Sequence, residues 1–277
     1  MADAVLRVFR GDQNGGQTSD YTVPIAPGMV VLDALHYIQG HQQPDLAVRW
    51  NCKAGKCGSC SAEVNGKPRL TCKTRMDSLP KDAPITVAPL KTFPVIKDLV
   101  TDVSFNYRVN KKIPAFTPQA NTDWKMYQRD IDRVQEFRKC IECFLCQDVC
   151  HVLRNHGKHD RFMGPAFLVR AAMYEMHPLD TADRTGYLKD EGGIGFCNIT
   201  KCCTEVCPEH IKITDNAIIP LKERVADKYY DPIQMVWRKL TGKREPLPMV
   251  DMPVLPGGTP PRAGTASDAS RRSGDDA

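Results

Sequence analysis

Cysteines in the second half of the chain have the spacing of iron–sulfur ligands. The stretch CIECFLCQDVC at 140–150 reads C-x2-C-x2-C-x3-C, a pattern that holds cubane iron–sulfur clusters. A second stretch, CNITKCCTEVCPEH, follows at 197–210. In this pattern the fourth cysteine of one run ligates the other cluster, and a remote cysteine just before a proline completes the first. The two stretches therefore predict two clusters that share their ligands crosswise.

The crosswise pattern assigns seven cysteines to two clusters. The ligands predicted for a [4Fe–4S] cluster are Cys140, Cys143, Cys146 and Cys207. Those predicted for the second cluster are Cys150, Cys197 and Cys203. Thr200 stands three residues after Cys197, where a full repeat has another cysteine. Because a cubane corner without a thiolate is easily lost, we predict a [3Fe–4S] cluster at this second site.

A third set of cysteines lies nearer the N-terminus, with the C-x4-C-x2-C spacing of plant-type [2Fe–2S] sites and a distal fourth cysteine. The predicted ligands are Cys52, Cys57, Cys60 and Cys72. Gly55 and Gly58 lie between them, so the backbone can pass close to a cluster and point N–H groups at its sulfurs. A zinc site is the alternative, but a zinc ribbon pairs two C-x2-C knuckles, whereas the first gap here is four residues.

The composition is that of a soluble globular protein. Hydrophobic residues make up 42% and charged residues 26% of the 277 positions, and the net charge is +5. The N-terminal MADAVLRVFRG lacks the apolar segment of a signal peptide, so we expect neither secretion nor disulfides. No apolar run reaches the roughly 18 residues of a transmembrane helix. Lysines and arginines are scattered along the chain, and we expect no nucleic-acid partner.

The elements that must position the first cysteine set are strands and one helix. The predicted strands lie at 6–9, 21–25, 61–66 and 85–90. Between the second and third strands, VVLDALHYIQG has the apolar spacing of an amphipathic helix, with Gly40 as its expected C-cap. This order is typical of a β-grasp ferredoxin, which we predict for residues 1–110.

The elements around the other two sets are helices. The predicted helical segments lie at 124–140, 164–177 and 213–230. Pro220 is expected to kink the last helix or to mark its start. We predict a linker at 111–122, an α-helical two-cluster ferredoxin domain of the bacterial type at 123–245, and a disordered tail at 246–277. The predicted fold class is therefore α+β.

The combination of these motifs resembles the iron–sulfur subunit of succinate dehydrogenase and fumarate reductase. The resemblance covers about residues 5–240 and rests on eleven cysteines at the expected spacings. The strings RWNCKAGKCGSCSAE, FRKCIECFLCQ and CNITKCCTEVCPEHIKITDNA are most similar to the actinobacterial, menaquinone-linked type of succinate dehydrogenase.

The resemblance implies an electron relay. Electrons would pass from FAD in a separate flavoprotein subunit through [2Fe–2S], [4Fe–4S] and [3Fe–4S] clusters to menaquinone at a transmembrane anchor subunit. It also implies a peripheral position on the cytoplasmic face of the cell membrane, held by these partner subunits. The sequence contains no G-x-G-x-x-G fingerprint, so succinate chemistry is assigned to the partner and no catalytic residue is predicted here.

Two positions depart from the ubiquinone-reducing relatives. In those relatives the cysteine corresponding to Cys150 is followed by proline, and the one corresponding to Cys197 by histidine. Here the following residues are His151 and Asn198. With Thr200 they are the quinone-proximal candidates, since they flank the terminal cluster and could hydrogen-bond a quinone carbonyl. A structural role or a subunit contact is the alternative for each.

Cys202 is the one cysteine outside the three sets. It is adjacent to Cys203, so we expect its side chain to point away from the cluster as a buried free thiol. The competing hypothesis is that it supplies the thiolate missing at Thr200. Two alternatives remain for the whole chain: a zinc-binding scaffold without redox function, and the iron–sulfur subunit of a fumarate reductase or heterodisulfide-reductase-like flavoprotein complex.

Overall fold

The described part of the chain consists of a β-sheet region followed by short helices. This computed structural model describes residues 2–80, 82–118, 123–232, 236 and 240. They belong to one compact unit. The tail predicted at 246–277 and residues 119–122 of the predicted linker lie outside the described residues.

The main sheet has five strands in the order β2-β1-β5-β3-β4. The strands are β1 (Ala2–Asp12), β2 (Gly15–Ile25), β3 (Ser61–Val64), β4 (Lys67–Leu70) and β5 (Ile85–Ala88). Strands β1 and β5 are parallel, whereas the β1–β2, β3–β4 and β3–β5 pairs are antiparallel. A separate two-stranded sheet pairs β6 (Val95–Lys97) with β7 (Val100–Thr101). The four predicted strands are confirmed, while β4, β6 and β7 are additional.

Helix α1 (Val31–His41) packs against the sheet. Leu35 and Ile38 on its inner face share one buried cluster with Leu6 and Val8 of β1. The helix runs through Gly40, and its C-cap is Gln42, whose N–H donates to the carbonyl of Ile38 at 2.9 Å. The prediction of Gly40 as the C-cap is therefore wrong, because the helix continues past it.

The second region is built from helices of four to twelve residues. They are α2 (Ser104–Lys112), α3 (Gln128–Gln135), α4 (Leu145–Asp148), α5 (His151–Arg154), α6 (Pro165–Glu175), α7 (Thr185–Asp190), α8 (Cys202–Glu205) and α9 (Ile219–Tyr230). Helix α2 was not predicted, and the boundary predicted at residue 110 falls within it. Among the helices of the described residues, none is long and apolar enough to cross a membrane.

Helix α6 lies at the centre of the helical region. Leu168, Ala171 and Ala172 are fully buried and share one cluster with Leu221 of α9. A π-helical turn, Ile213–Ile218, leads into α9, whose second residue is Pro220. Of the two alternatives for this proline, the start of the helix is confirmed. Proline is tolerated there because the backbone N–H groups of a helix's first turn have no partner within the helix, so the N–H that proline lacks is not needed.

A buried arginine fixes the segment that joins the two regions. The guanidinium of Arg184 donates to the carbonyls of Pro114 and Ala115 at 2.8 and 2.6 Å, and pairs with Asp180 at 2.7 Å. Its side chain is fully buried. Part of the predicted linker is therefore tied to the helices through its backbone.

Two isoleucines test the core around α1. Ile38 is fully buried and Ile96 is 55% exposed. Ile38→Ala is expected to lower the free energy of unfolding by about 2–5 kcal/mol, because it removes buried methyl groups and leaves a cavity. Denaturant titration of the cluster-loaded protein checks this, with Ile96→Ala as the matched surface control. Equal effects of the two substitutions would contradict this description of the core.

Candidate iron–sulfur centres

The first cysteine set lies on a loop and a hairpin of the sheet region. Cys60 directly precedes β3 and Cys72 follows β4 by two residues, so the antiparallel hairpin brings them together. The N–H of Thr71 donates to the carbonyl of Cys60 at 3.1 Å across this join. Cys52 lies on the preceding loop, and its sulfur accepts from the N–H groups of Ala54 and Lys56, both at 3.3 Å.

Two glycines of this loop are required by its backbone. Gly55 has φ +68° and Gly58 has φ +69°, a region that favours glycine. A Cβ on Gly55 would lie 2.3 Å from the side chain of Lys73. A Cβ on Gly58 would lie 2.6 Å from the Cα of Cys143, which belongs to the second set. The loop therefore contacts the helical region directly through Gly58.

The thiols of the first set differ in their acidity. Burial alone would raise the pKa of Cys57, but hydrogen bonds from Cys52 and Ser59 outweigh it and lower this pKa to about 6. Burial and the neighbouring Cys60 thiol raise the pKa of Cys72 to about 12. At neutral pH the loop therefore offers a thiolate at Cys57, which is the form that binds iron.

The second set surrounds an apolar cavity of the helical region. Cys140, Cys143 and Cys146 come from the run that enters α4, and Cys207 follows α8. The cavity is lined by all four of these cysteines, by Pro208, and by apolar side chains that include Ile141, Ala166, Val169, Ile211 and Ile213. The structure thus brings together the four residues predicted as [4Fe–4S] ligands.

The third set surrounds a neighbouring cavity. Its lining includes Cys150, Cys197 and Cys203 together with Phe162, Pro165 and Ile218. His151 and Thr200 also line it, while Asn198 is exposed to solvent. The structure therefore brings the three predicted ligands of the second helical cluster together, with two of the three quinone-proximal candidates beside them.

The two cysteine stretches have matching backbones. Cys140 and Cys197 each follow a short 3-10 turn, and a four-residue helix, α4 or α8, begins five residues later in each stretch. The residues in the left-handed region are Glu142 and Phe144 in the first stretch and Ile199 and Lys201 in the second. In this alignment Thr200 occupies the position of Cys143.

Burial makes the helical thiols difficult to ionise. It raises the pKa of Cys143 to about 12 and that of Cys203 to about 11, and raises the pKa of the fully buried Cys146 well above its ordinary value. Neighbouring cysteines add to each of these shifts. Positive iron would offset this cost, since metal ions bind the deprotonated thiol. Converging cysteines in cavities with a mainly apolar lining fit iron–sulfur clusters.

Cluster ligands differ in arrangement from those of a single ion. Within the described ranges, no three histidine, cysteine, aspartate or glutamate side chains are placed to hold one metal ion. A cluster puts several irons and sulfides between its thiolates, so its ligands do not need to converge on one point.

Cys202 differs from the prediction made for it. It is half-buried, and it lines the same cavity as the third set. Its sulfur donates to the carbonyl of Val149 at 3.4 Å and lies 3.3 Å from Oγ1 of Thr200. The predicted burial is wrong, because Cys202 opens α8 and is only half-buried. That its thiol stays outside the cluster ligands remains a prediction.

Sequence reasoning missed an ionic group beside the clusters. Asp148, the last residue of α4, is fully buried and lies between Cys146 and Cys150. Burial is the main cause that raises its pKa to about 6, and the carboxylate of Glu63 adds to the effect. Arg154 of α5 pairs with both carboxylates. The signal in the sequence was the position of Glu63 and Asp148, two carboxylates that stand in largely apolar stretches close to predicted cysteine ligands.

Comparison with known protein families agrees with these sites. Residues 5–107 match a family described as a 2Fe-2S iron-sulfur cluster binding domain, and residues 136–211 match a 4Fe-4S dicluster domain. The first range contains the first cysteine set and the second contains the other two. The predicted α+β class, with an N-terminal [2Fe–2S] ferredoxin domain and a C-terminal two-cluster domain, is confirmed.

Known iron-sulfur subunits are similar to this chain over most of its length. A fumarate reductase iron-sulfur subunit of Mycobacterium tuberculosis is 33% identical, over 69% of this chain and 79% of its own length. A succinate dehydrogenase iron-sulfur subunit of Bacillus subtilis is 31% identical, over 70% of this chain and 81% of its own length. A longer relative, an uncharacterized iron-sulfur protein of Methanococcus maripaludis, is 33% identical over 76% of this chain, and the chain spans 42% of that protein's length.

A solved structure is more similar still. A chain of the Mycobacterium smegmatis Sdh1 complex in the apo form is 63% identical and superposes with a TM-score of 0.82. The match covers 83% of this chain and 98% of that one. The chain belongs to the family of iron–sulfur subunits of succinate dehydrogenases and fumarate reductases.

Proposed function

We propose that this chain is the electron-transfer subunit of a succinate:quinone oxidoreductase. The observation that carries the proposal is the continuous row of three cysteine sets. Gly58 of the first set's loop contacts Cys143 of the second set. Cys203 of the third set lies close enough to Cys146 of the second to contribute to the raised pKa of Cys146. When bound, the clusters would supply one-electron redox chemistry, and a row of such sites would carry electrons along the protein.

The three sets are proposed as the cluster ligands predicted from the sequence. The [2Fe–2S] ligands are Cys52, Cys57, Cys60 and Cys72; the [4Fe–4S] ligands are Cys140, Cys143, Cys146 and Cys207; and the [3Fe–4S] ligands are Cys150, Cys197 and Cys203. The two functional domains would be joined by the segment 111–122, which lies between the two matched family ranges.

The third site is proposed to hold three irons rather than four. The matching backbones place Thr200 where the first stretch has Cys143. A threonine hydroxyl is a poor iron ligand, so this corner has no thiolate of its own. Cys202 corresponds to Leu145 in the same alignment and already donates to a backbone carbonyl, which supports a role outside the ligand set.

The quinone end of the relay is assigned to the third set. His151 and Thr200 border its cavity, and Asn198 is exposed close by. Phe196 and Ile199 beside them are 39% and 37% exposed, an apolar surface suited to a membrane-anchor subunit. The proposed partners are therefore a flavoprotein that carries FAD, a transmembrane anchor and menaquinone, with this chain on the cytoplasmic face.

A fumarate reductase is the second candidate, and the similarity to the Mycobacterium tuberculosis subunit favours it. The two are separated by assaying the isolated complex in both directions, with succinate and a menaquinone analogue and with fumarate and the reduced analogue. Faster succinate oxidation supports the first candidate, and faster fumarate reduction supports the second.

Metal content tests the three cluster assignments together. The anaerobically isolated complex is expected to contain about nine irons for each copy of this chain, with a matching amount of acid-labile sulfide. Elemental analysis and sulfide determination check this. One equivalent of zinc with only four irons would contradict the three-cluster arrangement.

Thr200→Cys tests the three-iron assignment. The new thiolate is expected to recruit a fourth iron, so that the EPR signal of the oxidised [3Fe–4S] cluster is lost and quinone reduction slows. Dye reduction upstream is expected to persist. Thr200→Ser is the matched control and should keep the signal, because a hydroxyl replaces a hydroxyl.

Cys202→Ser tests the competing assignment. An unchanged [3Fe–4S] signal in this variant supports a role outside the ligand set. If the unmodified protein instead shows a second cubane, and the serine variant converts it to a three-iron cluster, then Cys202 is the ligand and our assignment of the third site is wrong.

Treatment with a chaotrope tests the proposed partners. It is expected to release this chain from the membrane together with the flavoprotein, as a pair that reduces artificial dyes with succinate but does not reduce quinone. Deletion of the anchor subunit should have the same effect. Fractionation and activity assays check both, and a chain that stays on membranes without the anchor would contradict the arrangement.

A further inference from the structure

A buried ionic group joins the sheet to the helices that carry the second and third cysteine sets. Glu63 lies on β3, three residues after Cys60, and its side chain is 2% exposed. Asp148 lies at the end of α4 and is fully buried. Arg154, at the end of α5, lies between the two carboxylates. The group therefore connects residues that neighbour different cluster sites.

The contacts of Arg154 are short. Its Nη1 atom lies 2.5 Å from Oε1 of Glu63 and 3.1 Å from Oδ2 of Asp148, and it donates to the carbonyl of Asp148 at 3.1 Å. The backbone N–H of Thr92, which follows β5, donates to Oδ1 of Asp148 at 3.0 Å. The hydroxyl of Thr92 donates to the Asp148 carbonyl at 3.1 Å. One guanidinium thus links β3 to the end of α4, where Asp148 lies between Cys146 and Cys150 in the sequence.

The energetics of buried ion pairs indicate that Arg154 fixes the relative position of the two elements more than it stabilises the fold. Removing charges from water is costly, so a buried ion pair often contributes little net stability compared with apolar side chains of similar size. A bridged pair does, however, specify which atoms meet. Without Arg154, the carboxylates of Glu63 and Asp148 would face each other, and the remaining cation is the largely exposed Lys91, whose Nζ lies 3.5 Å from Oε2 of Glu63. Repulsion between the two carboxylates would then push β3 and α4 apart.

The same face of β3 makes a second contact with the helical region. Ser61 and Glu63 are two residues apart on a strand, so their side chains point to one side. Oγ of Ser61 lies 2.9 Å from the carbonyl oxygen of Cys143. The absence of a side chain at Gly58 lets the Cys143 backbone approach the loop. Arg154 and Ser61 therefore both hold β3 against the helical region, near the place where the first and second cysteine sets meet.

We propose that Arg154 is a positioning residue for electron transfer, which holds the first cysteine set at a fixed separation from the other two by bridging Glu63 and Asp148. The inference rests on the proposed function. The step that it serves is a one-electron exchange between the [2Fe–2S] and [4Fe–4S] sites, in which one is oxidised and the other reduced. No bond forms or breaks at Arg154, and no proton moves there.

The test uses the intact complex purified from membranes, with Arg154→Met in this chain. The readout is the power saturation of the reduced [2Fe–2S] EPR signal, which reports magnetic relaxation by the neighbouring reduced cluster and weakens steeply with distance. The half-saturation power is expected to fall severalfold at an unchanged iron content. Arg154→Lys should restore part of it, because a lysine keeps the positive charge between the carboxylates.

Two further variants separate positioning from general destabilisation. Glu63→Gln combined with Arg154→Met removes one of the two carboxylates left without Arg154, so part of the stability is expected to recover while the relaxation stays weak. Arg10→Met is the matched control, since Arg10 also pairs with a buried carboxylate, that of Asp98, and its contacts lie within the sheet region and involve no cysteine set. This control should keep the relaxation of the unmodified complex.

The outcomes distinguish the inference from the function that it rests on. Unaltered relaxation in Arg154→Met and in the double variant, with all clusters present, overturns the positioning role alone. Equal loss in Arg10→Met also overturns it, since the effect would then not depend on the bridge. Absence of both cluster signals from the unmodified complex would instead overturn the proposed function.

Discussion

The structure depends on bringing thiols from distant parts of the chain around common centres, which requires unusual backbone. The positions next to the helical ligands are left-handed at Glu142, Phe144, Ile199 and Lys201, and none of these is glycine. Such a conformation costs about 1–2 kcal/mol for each residue. Ile199 is the most strained of them, because a branched Cβ fits this region poorly. Strain of this kind persists only where the surroundings fix it, and it is concentrated here at the cluster sites.

The surroundings that fix this backbone are the buried side chains of both regions. Phe144 is 6% exposed, and its ring packs against those of Phe93 and Phe167 at centroid separations of 6.3 Å. Cys60 and Cys72 of the sheet region belong to the same buried hydrophobic cluster as Cys146, a proposed ligand of the helical region. The packing that encloses each cysteine set therefore also joins the two regions into one unit.

Much of the fold and of the candidate site could be predicted because cluster ligation is encoded in local spacing. C-x2-C and C-x4-C determine which thiols can meet, and the periodicity of α1 and α6 identifies their buried faces. Helix α2 and strand β4 were missed because they are short and polar, and tertiary contacts decide their conformation. The bridge from Arg154 to Glu63 could not be predicted, since it depends on which face of β3 meets the helices. The position of Cys202 depended on the rotation of a four-residue helix.

The proposed crosswise sharing of ligands has a consequence for the order in which the cluster sites are completed during synthesis. The first set is complete once the chain has been synthesised as far as Cys72. Neither helical set is complete until the second stretch exists, because one ends at Cys203 and the other at Cys207. A ribosome that has released only the first stretch therefore presents four cysteines that belong to two unfinished sites. With this proposed assignment, the clusters of the helical region can be inserted only after the second stretch has been synthesised, whereas the ligands of the first set are available earlier in synthesis.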